Sequence, residues 1–579
     1  MVQSQSRDHT RALTPTSHAR PAWLAAIAGL AGGLQALSLA WPWGVAGAAF
    51  GSTGWAGQPL PLLQLAAMAL FVVVLRRAPT ARSAAGVGWV FAATWLVGTF
   101  WWLFVSLHTH GGLAAPLAVG AVLALAGALA VYYTAISVLY WHLALDGIVF
   151  SALVFAALWT LAELARGVWL TGFPWGAVGY VHVDSLGWVA PWVGVYGMGA
   201  LAVALAAGVA AAWPRARVRA LALAGGAVAL LTAGPWLSAH VPTHTQSAGA
   251  LHLALLQGNI DQGEKFDTRT GLPKALAWYS AHLADPHASA DRSADTLPPN
   301  ALIVAPETAL PLLPQQAGPE LWGPLLQFLG QGTRAALLGL PLGSFDQGYS
   351  NAVWAITPQA AAQAATDVAQ GRPLGTLDMP NPRDPAQPPF YRYEKHHLVP
   401  FGEFIPPFFR WFVDLMNIPL GDFNRGALAQ PPFEWAGQRV APNICYEDLF
   451  GEELAQGFGD AATAPTVLVN LSNLAWFGNT VALDQHLHAS RLRALELARP
   501  MVRATNTGAT VAIDHQGRVT HALPRLTQGV LLATVEGQQG LTPFARWASR
   551  WGLWPVWLLA GGVVLAGAVV ARAQRTRRP

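Results

Sequence analysis

Apolar residues are unevenly distributed along this chain. Runs approaching membrane length fill residues 22–240 and recur at 551–571, whereas 245–545 mixes short apolar stretches with polar ones. Crossing the hydrocarbon core of a bilayer takes about 20 apolar residues of helix. The runs that approach this length are 23–41, 60–75, 87–107, 116–140, 148–164, 186–212, 220–237 and 551–570. The second is short and the fifth is broken, and both are counted as spans. Seven spans thus precede the polar region and one follows it. Inside 245–545 the pattern changes. Apolar stretches, many of them rich in β-branched residues, at 251–256, 302–304, 336–340, 352–356, 440–444, 467–471 and 510–513 predict strands. Between them 273–283, 320–331 and 482–497 predict helices. This alternation predicts a layered α/β domain. Two Pro/Ala/Gln-rich stretches, 285–299 and 358–389, carry too little apolar content for a core and are expected as surface insertions.

Composition supports the division. Hydrophobic residues make up 53% of the chain and charged residues 11%, where a soluble domain carries about a quarter charged residues. The net charge of +4 is spread over short clusters, which argues against a nucleic-acid-binding stripe. A single cysteine rules out an internal disulfide, and no Cys/His array has zinc spacing, so neither metal nor cofactor is expected. The polar residues 1–20 lead into the first run without a convincing small-residue cleavage site, which predicts a retained span.

Arginine placement predicts orientation. Arg7, Arg11 and Arg20 precede the first span, and Arg76, Arg77 and Arg82 follow the second. Arg215, Arg217 and Arg219 follow the sixth, and Arg572, Arg575, Arg577 and Arg578 end the chain. With eight spans all four clusters fall on one side, the cytoplasm by the positive-inside rule. The expected organisation is a cytoplasmic tail at 1–21, a membrane domain of seven helices at 22–240 and a polar domain at 245–545 across the membrane. A C-terminal transmembrane helix at 551–571 and a cytoplasmic tail at 572–579 complete it. In the membrane part, Glu163 and Arg166 read either as a paired, snorkelling helix end or as substrate contacts, the former slightly favoured.

Three polar residues sit where apolar strands end. Glu307 follows Leu302-Ile303-Val304-Ala305-Pro306, Lys395 closes Tyr391-Arg392-Tyr393-Glu394, and Cys445 follows Val440-Ala441-Pro442-Asn443-Ile444. Sites in α/β sheets form at the carboxyl ends of strands. A cysteine opening a helix, predicted here over 448–457, is also expected to gain thiolate character from the helix N-terminus. A carboxylate can take the thiol proton, and a lysine with backbone N–H groups can stabilise the oxyanion that forms on attack at an ester or amide. Taken singly, each residue has a plainer reading: a buried small hydrophobe, a helix cap, a surface pair.

The combination is more specific. The strings are Gln257-Gly258-Asn259-Ile260, Ala305-Pro306-Glu307-Thr308-Ala309, His397-Leu398-Val399-Pro400-Phe401-Gly402-Glu403-Phe404, Ile444-Cys445-Tyr446-Glu447, Ala475-Trp476-Phe477-Gly478 and Arg493-Ala494-Leu495-Glu496-Leu497-Ala498-Arg499-Pro500. Thr171-Gly172-Phe173-Pro174-Trp175 adds one from the membrane part. Together they resemble the carbon–nitrogen hydrolase (nitrilase) superfamily and, more closely, the bacterial apolipoprotein N-acyltransferase family. That resemblance implies an αββα sandwich on a helical membrane domain, in the bacterial inner membrane with the catalytic domain periplasmic, and a monomer. It implies Glu307 as general base, Lys395 as oxyanion stabiliser and Cys445 as nucleophile. Glu403 would hold Lys395 and the intermediate, and Tyr446 and Glu447 would shape the site. Phe266, Phe404 and Trp476 are the substrate-binding candidates. The implied partners are a phospholipid acyl donor, a lipoprotein bearing a diacylglyceryl-cysteine, and the bilayer. The implied reaction is ping-pong, through a thioester on Cys445.

Two departures stand out: Phe266 and Leu474 occupy positions where the family usually has Trp and Asp. The stretch 404–413 is apolar enough to serve as a membrane-dipping arm. A membrane-anchored amidase that passes its acyl group to water has the same chemical core, and a non-catalytic receptor on this scaffold is a third reading.

Overall fold

The computed structural model describes residues 20–43, 55–143, 146–213, 216–265, 267–286, 297–371, 390–406 and 422–576. Among the described residues, eight α-helices build the N-terminal part: α1 (Arg20–Leu39), α2 (Pro61–Leu75), α3 (Ala81–Phe100), α4 (Ala115–Leu143), α5 (Ile148–Val168), α6 (Ala190–Ala212), α7 (Arg217–Thr232) and α8 (Gly234–His240). A ninth apolar helix, Trp554–Thr576, lies after the polar domain and packs on α5.

Among the described residues, six helices are long and apolar enough to cross a membrane: α1, α3, α4, α5, α6 and the C-terminal helix. The expected eight spans resolve differently at two places. α7 and α8 reach span length only as a pair, bent by 50° at their junction. α2 has 15 residues, about 22 Å of helix against a hydrocarbon core of about 30 Å. Much of its surface is covered by protein, with Met68, Phe71, Val72 and Leu75 inaccessible. It carries Gln64, whose amide donates to Gln35 Oε1 at 3.2 Å and whose Oε1 lies 3.0 Å from His182 Nε2. A polar side chain in an apolar bundle is tolerated because its partners are protein.

Glu163 and Arg166 are not a snorkelling helix end. Both are buried. Arg166 donates from Nη1 to the carbonyls of Phe173 (2.6 Å) and Trp175 (2.7 Å) and from Nε to Tyr133 Oη (2.9 Å), and Glu163 accepts from the Val178 N–H at 2.8 Å. The pair folds residues 173–178 onto α5.

Among the described residues the polar domain has twelve strands: β1 (Thr245–Gln257), β2 (Leu302–Val304), β3 (Ala335–Ser344), β4 (Gly348–Ile356), β5 (Tyr391–Glu394), β6 (Phe433–Trp435), β7 (Gln438–Ile444), β8 (Val467–Ser472), β9 (Met501–Thr505), β10 (Val511–Ile513), β11 (Val519–Ala522) and β12 (Gly529–Gly540). They form two six-stranded sheets, ordered β12-β1-β2-β3-β4-β5 and β11-β10-β9-β8-β7-β6. Each has three parallel strands at its centre, β1-β2-β3 and β7-β8-β9, flanked by antiparallel ones.

Side chains alternate across a strand. On β1, Leu251, Leu253 and Leu255 meet Val440, Val469 and Val502 of the other sheet, while Ala254 and Leu256 face helices Gly271–Ala284 and Pro319–Gln331. The second sheet is backed by helices Ala482–Leu497 and Pro543–Trp551. The result is an αββα sandwich. One expected surface insertion is partly core: residues 358–369 form a helix whose Ala360, Ala361 and Ala364 are buried against the first sheet's helices. Alanine suffices there because the helices lie close together. Residues 372–389, the rest of that stretch, and 287–296 of the other lie outside the described residues.

Candidate active site

Glu307 lies three residues beyond β2, Lys395 one residue beyond β5 and Cys445 one residue beyond β7, all at the carboxyl ends of their strands. The backbone is forced to turn there. Cys445 has φ of 51° and Thr308 also 51°, a conformation uncommon for residues with a side chain and enriched at functional sites. Beneath Glu307 the strands pass so closely that a Cβ on Gly339 would lie 2.3 Å from the Pro306 carbonyl oxygen.

The side chains converge in one buried cluster. Lys395 Nζ donates to Glu403 Oε1 at 2.8 Å and to Glu307 Oε1 at 3.3 Å. Asn351 Nδ2, from β4, donates to the same two oxygens, at 2.7 Å to Glu307 and 2.6 Å to Glu403. The second oxygens are held by backbone: Glu307 Oε2 accepts from the Asn473 N–H at 2.9 Å and Glu403 Oε2 from the Val399 N–H at 2.8 Å. Lys265, also buried, donates from Nζ to the Glu307 carbonyl at 3.3 Å. Glu307, Lys395 and Glu403 are buried, while Cys445 is half-buried.

Glu447 ties the two sheets together at this point. Its Oε2 accepts from the Ile444 N–H (2.6 Å) and Tyr393 Oη (2.8 Å), and its Oε1 from the N–H groups of His396 (2.7 Å) and His397 (3.1 Å). One carboxylate therefore fixes the end of β5, carrying Lys395, against the end of β7, carrying Cys445. Behind the cysteine, Asn470 Nδ2 donates to the Cys445 carbonyl at 3.2 Å. Asp448 accepts from Arg503 Nη1 at 3.3 Å and sits 3.1 Å from His486 Nε2, while Arg503 Nη2 donates to His486 Nδ1 at 2.7 Å.

The electrostatics depart from the expected helix-dipole effect. Cys445 opens a five-residue 3-10 helix, followed by the four-residue helix Gly451–Leu454 in place of one helix over 448–457. Turns this short carry little macrodipole. Burial pushes the Cys445 thiol well above its ordinary value, and the Glu307 carboxylate pushes it further, against the opposing pull of Lys395. Both effects favour the protonated thiol at Cys445. Burial would lower Lys395, but the Glu307 and Glu403 carboxylates outweigh it and hold the ammonium charged. Burial lowers Lys265 to about 8, with Glu307 opposing.

The apolar helices and the polar domain meet directly beside Cys445. Tyr446 Oη donates to the Gly172 carbonyl at 3.1 Å, and His397 Nε2 to that of Thr171 at 3.0 Å. Gln485 Oε1 accepts the indole N–H groups of Trp102 (3.1 Å) and Trp175 (2.8 Å). Trp476 is half-buried, its carbonyl accepting from Ser106 Oγ at 2.7 Å and its ring edge-on to His110 at 5.9 Å. Phe404 is half-buried under the Arg425 guanidinium, 4.9 Å from its ring centre. Phe266 and residues 407–413 of the expected apolar arm lie outside the described residues. Leu474 is fully buried, so the position usually held by Asp is filled by an apolar contact.

Glu307, Lys395, Cys445, Glu403, Tyr446 and Glu447 thus come together, whereas Phe404 and Trp476 line its surroundings. Sequence reasoning missed Asn351, Lys265 and Asn473. Only Lys265 had a signal, as a lysine in a loop beside the Gln257-Gly258-Asn259-Ile260 string.

A carbon–nitrogen hydrolase sandwich mounted on apolar helices defines the class of protein. Residues 252–541 match the carbon–nitrogen hydrolase family, and residues 46–208 match the apolipoprotein N-acyltransferase N-terminal domain. The apolipoprotein N-acyltransferase of Verminephrobacter eiseniae is 50% identical over 92% of this chain and 94% of its own. Those of Bordetella bronchiseptica (92% of this chain, 97% of its own) and Ralstonia nicotianae (89% and 90%) are each 41% identical. The chain belongs to the apolipoprotein N-acyltransferase family and is a multi-pass membrane enzyme, an acyltransferase.

Proposed function

We propose that this enzyme carries a fatty acyl chain from a phospholipid to the N-terminal amine of a diacylglyceryl-cysteine on lipoproteins, through a thioester on Cys445. The observation that carries this reading is the closed carboxylate–lysine–carboxylate cluster beside a lone cysteine at the junction with the membrane helices. Cys445 Sγ attacks the ester carbonyl as Glu307 takes the thiol proton. Charge on the carbonyl oxygen is met by the Lys395 ammonium, which Glu403 and Asn351 hold in place. The C–O bond breaks, the leaving lysophospholipid oxygen takes the proton from Glu307, and the thioester remains. The acceptor amine then attacks the thioester, Glu307 accepts the amine proton, and the amide forms as the thiol is restored. Glu447 and Tyr446 act by holding the Cys445 turn in place.

The same reading, with α2 and the bent α7–α8 pair each counted as a span, puts the chain in the bacterial inner membrane as a monomer with its arginine clusters cytoplasmic, so that the catalytic domain is periplasmic. Mass spectrometry tests it in two stages. Purified enzyme given phospholipid alone gains one acyl mass on the Cys445 peptide under conditions that preserve thioesters. Addition of a diacylglyceryl-cysteine peptide then discharges that mass onto the peptide amine. Release of free fatty acid with no gain on the peptide would mean that water is the acceptor and the protein a membrane-anchored hydrolase.

A further inference from the structure

The turn between α5 and residues 173–178 has no part in the bond-making steps, yet it is strained and exposed in an unusual way. Leu170, Thr171 and Gly172 have φ of 54°, 75° and 76° in succession. The left-handed region suits the glycine, but leucine and threonine adopt it only where surrounding contacts impose it. The result is to turn Leu170 outward, leaving it 92% exposed, beside Trp169 at 56% and Val168 at 46%. The contacts that impose this come from the polar domain and from α5 itself. His397 Nε2 and Tyr446 Oη hold the carbonyls of Thr171 and Gly172. Arg166 holds those of Phe173 and Trp175.

The other side of the turn belongs to the membrane. Trp169 stacks on Trp557 of the C-terminal helix, ring centres 6.1 Å apart, and lies 6.1 Å from Tyr132 of α4. The turn continues directly from the apolar helix α5, which spans 21 residues. An aromatic residue in such a place marks the headgroup level of a bilayer. Leu170 therefore meets lipid, and two residues further on the chain touches the neighbour of Cys445.

We propose that the Trp169–Leu170 turn is the lip over which the donor phospholipid passes from the bilayer to Cys445, Leu170 packing against its upper acyl carbons. This rests on the acyl-donor reading above and adds where the donor is admitted. Two measurements test it. In the first, bimane is attached to Leu170→Cys in a Cys445→Ser background, in vesicles of phosphatidylethanolamine and phosphatidylglycerol. Quenching by lipids spin-labelled high on the acyl chain is expected to exceed quenching by aqueous iodide, and the reverse order overturns the proposal.

In the second, Leu170→Asn is compared with the unaltered enzyme for two reactions of Cys445: acylation by phospholipid in the same vesicles, and alkylation by water-soluble chloroacetamide. Acylation is expected to slow about tenfold while alkylation keeps its rate. Unchanged acylation overturns the proposal, as does an equal loss in both reactions, which would mean that the turn acts on the nucleophile's geometry. If the unaltered enzyme gains no acyl mass, the transferase reading has failed; the quenching measurement then still decides whether Leu170 meets lipid.

Discussion

Asn351 is the residue on which the active-site cluster most depends without itself reacting, and its removal is the sharpest test of the geometry. One amide nitrogen donates to Glu307 at 2.7 Å and to Glu403 at 2.6 Å, on the same oxygens that receive Lys395. The two carboxylates are thus kept side by side by one ammonium and one amide. Hydrogen bonds to charged groups are worth about 1.5–3 kcal/mol each. Asn351→Ala removes two, about 3–6 kcal/mol gross, and water entering the space left by the side chain restores part, leaving about 2–4 kcal/mol. Because Glu307 loses a donor that orients it, Cys445 acylation is expected to slow by about 10²-fold, the scale of a misplaced positioning group. Asn351→Asp adds a third carboxylate where two already repel and should abolish acylation. The assay is the rate of acyl-mass gain on Cys445, with the thermal midpoint in detergent measured alongside. An Asn351→Ala enzyme that is acylated at the unaltered rate would refute the view that this amide organises the site.

Three further outcomes follow from the same contacts. Gly172→Ala puts a Cβ 2.0 Å from the Gly167 carbonyl oxygen at φ of 76°, so thermal stability should fall by about 1–3 kcal/mol; an unchanged midpoint contradicts this. Gln485→Leu leaves the buried N–H groups of Trp102 and Trp175 without their acceptor, which should cost about 2–4 kcal/mol and loosen the domain junction, read as faster proteolysis of the native protein. Burial and the neighbouring Glu453 push Glu452 from 4.5 up to about 8. The folded state then holds this proton more tightly than the unfolded chain. The associated stability is complete below about pH 4.5 and lost as pH rises through about 8. Glu452→Gln should flatten the decline in thermal midpoint between pH 5 and 9, and an unaltered slope would place the titration elsewhere.

Some of this protein was legible in the sequence because it is written locally. Membrane-length apolar runs declare themselves by composition, the strand and helix alternation of the polar domain by period, and Glu307, Lys395 and Cys445 by their places at the ends of apolar strands. Their association in one site, by contrast, came from family strings, since no spacing along the chain requires it.

What only the tertiary structure decided depends on register and approach. Asn351 lies 44 positions from Glu307 and 52 from Glu403, and only the order β2-β3-β4-β5 in one sheet brings them together. Glu447 becomes a staple because the ends of β5 and β7, from opposite sheets, face each other at its carboxylate. Glu163 and Arg166 looked like a charged helix end because sequence shows polarity but not which carbonyls fold back to meet it. The cysteine's protonation was likewise undetermined: a strand-to-helix turn suggests a thiolate, but burial beside two carboxylates favours the thiol. Each of these rests on groups far apart in the chain and a few ångströms apart in space, where desolvation and hydrogen bonding set the energies.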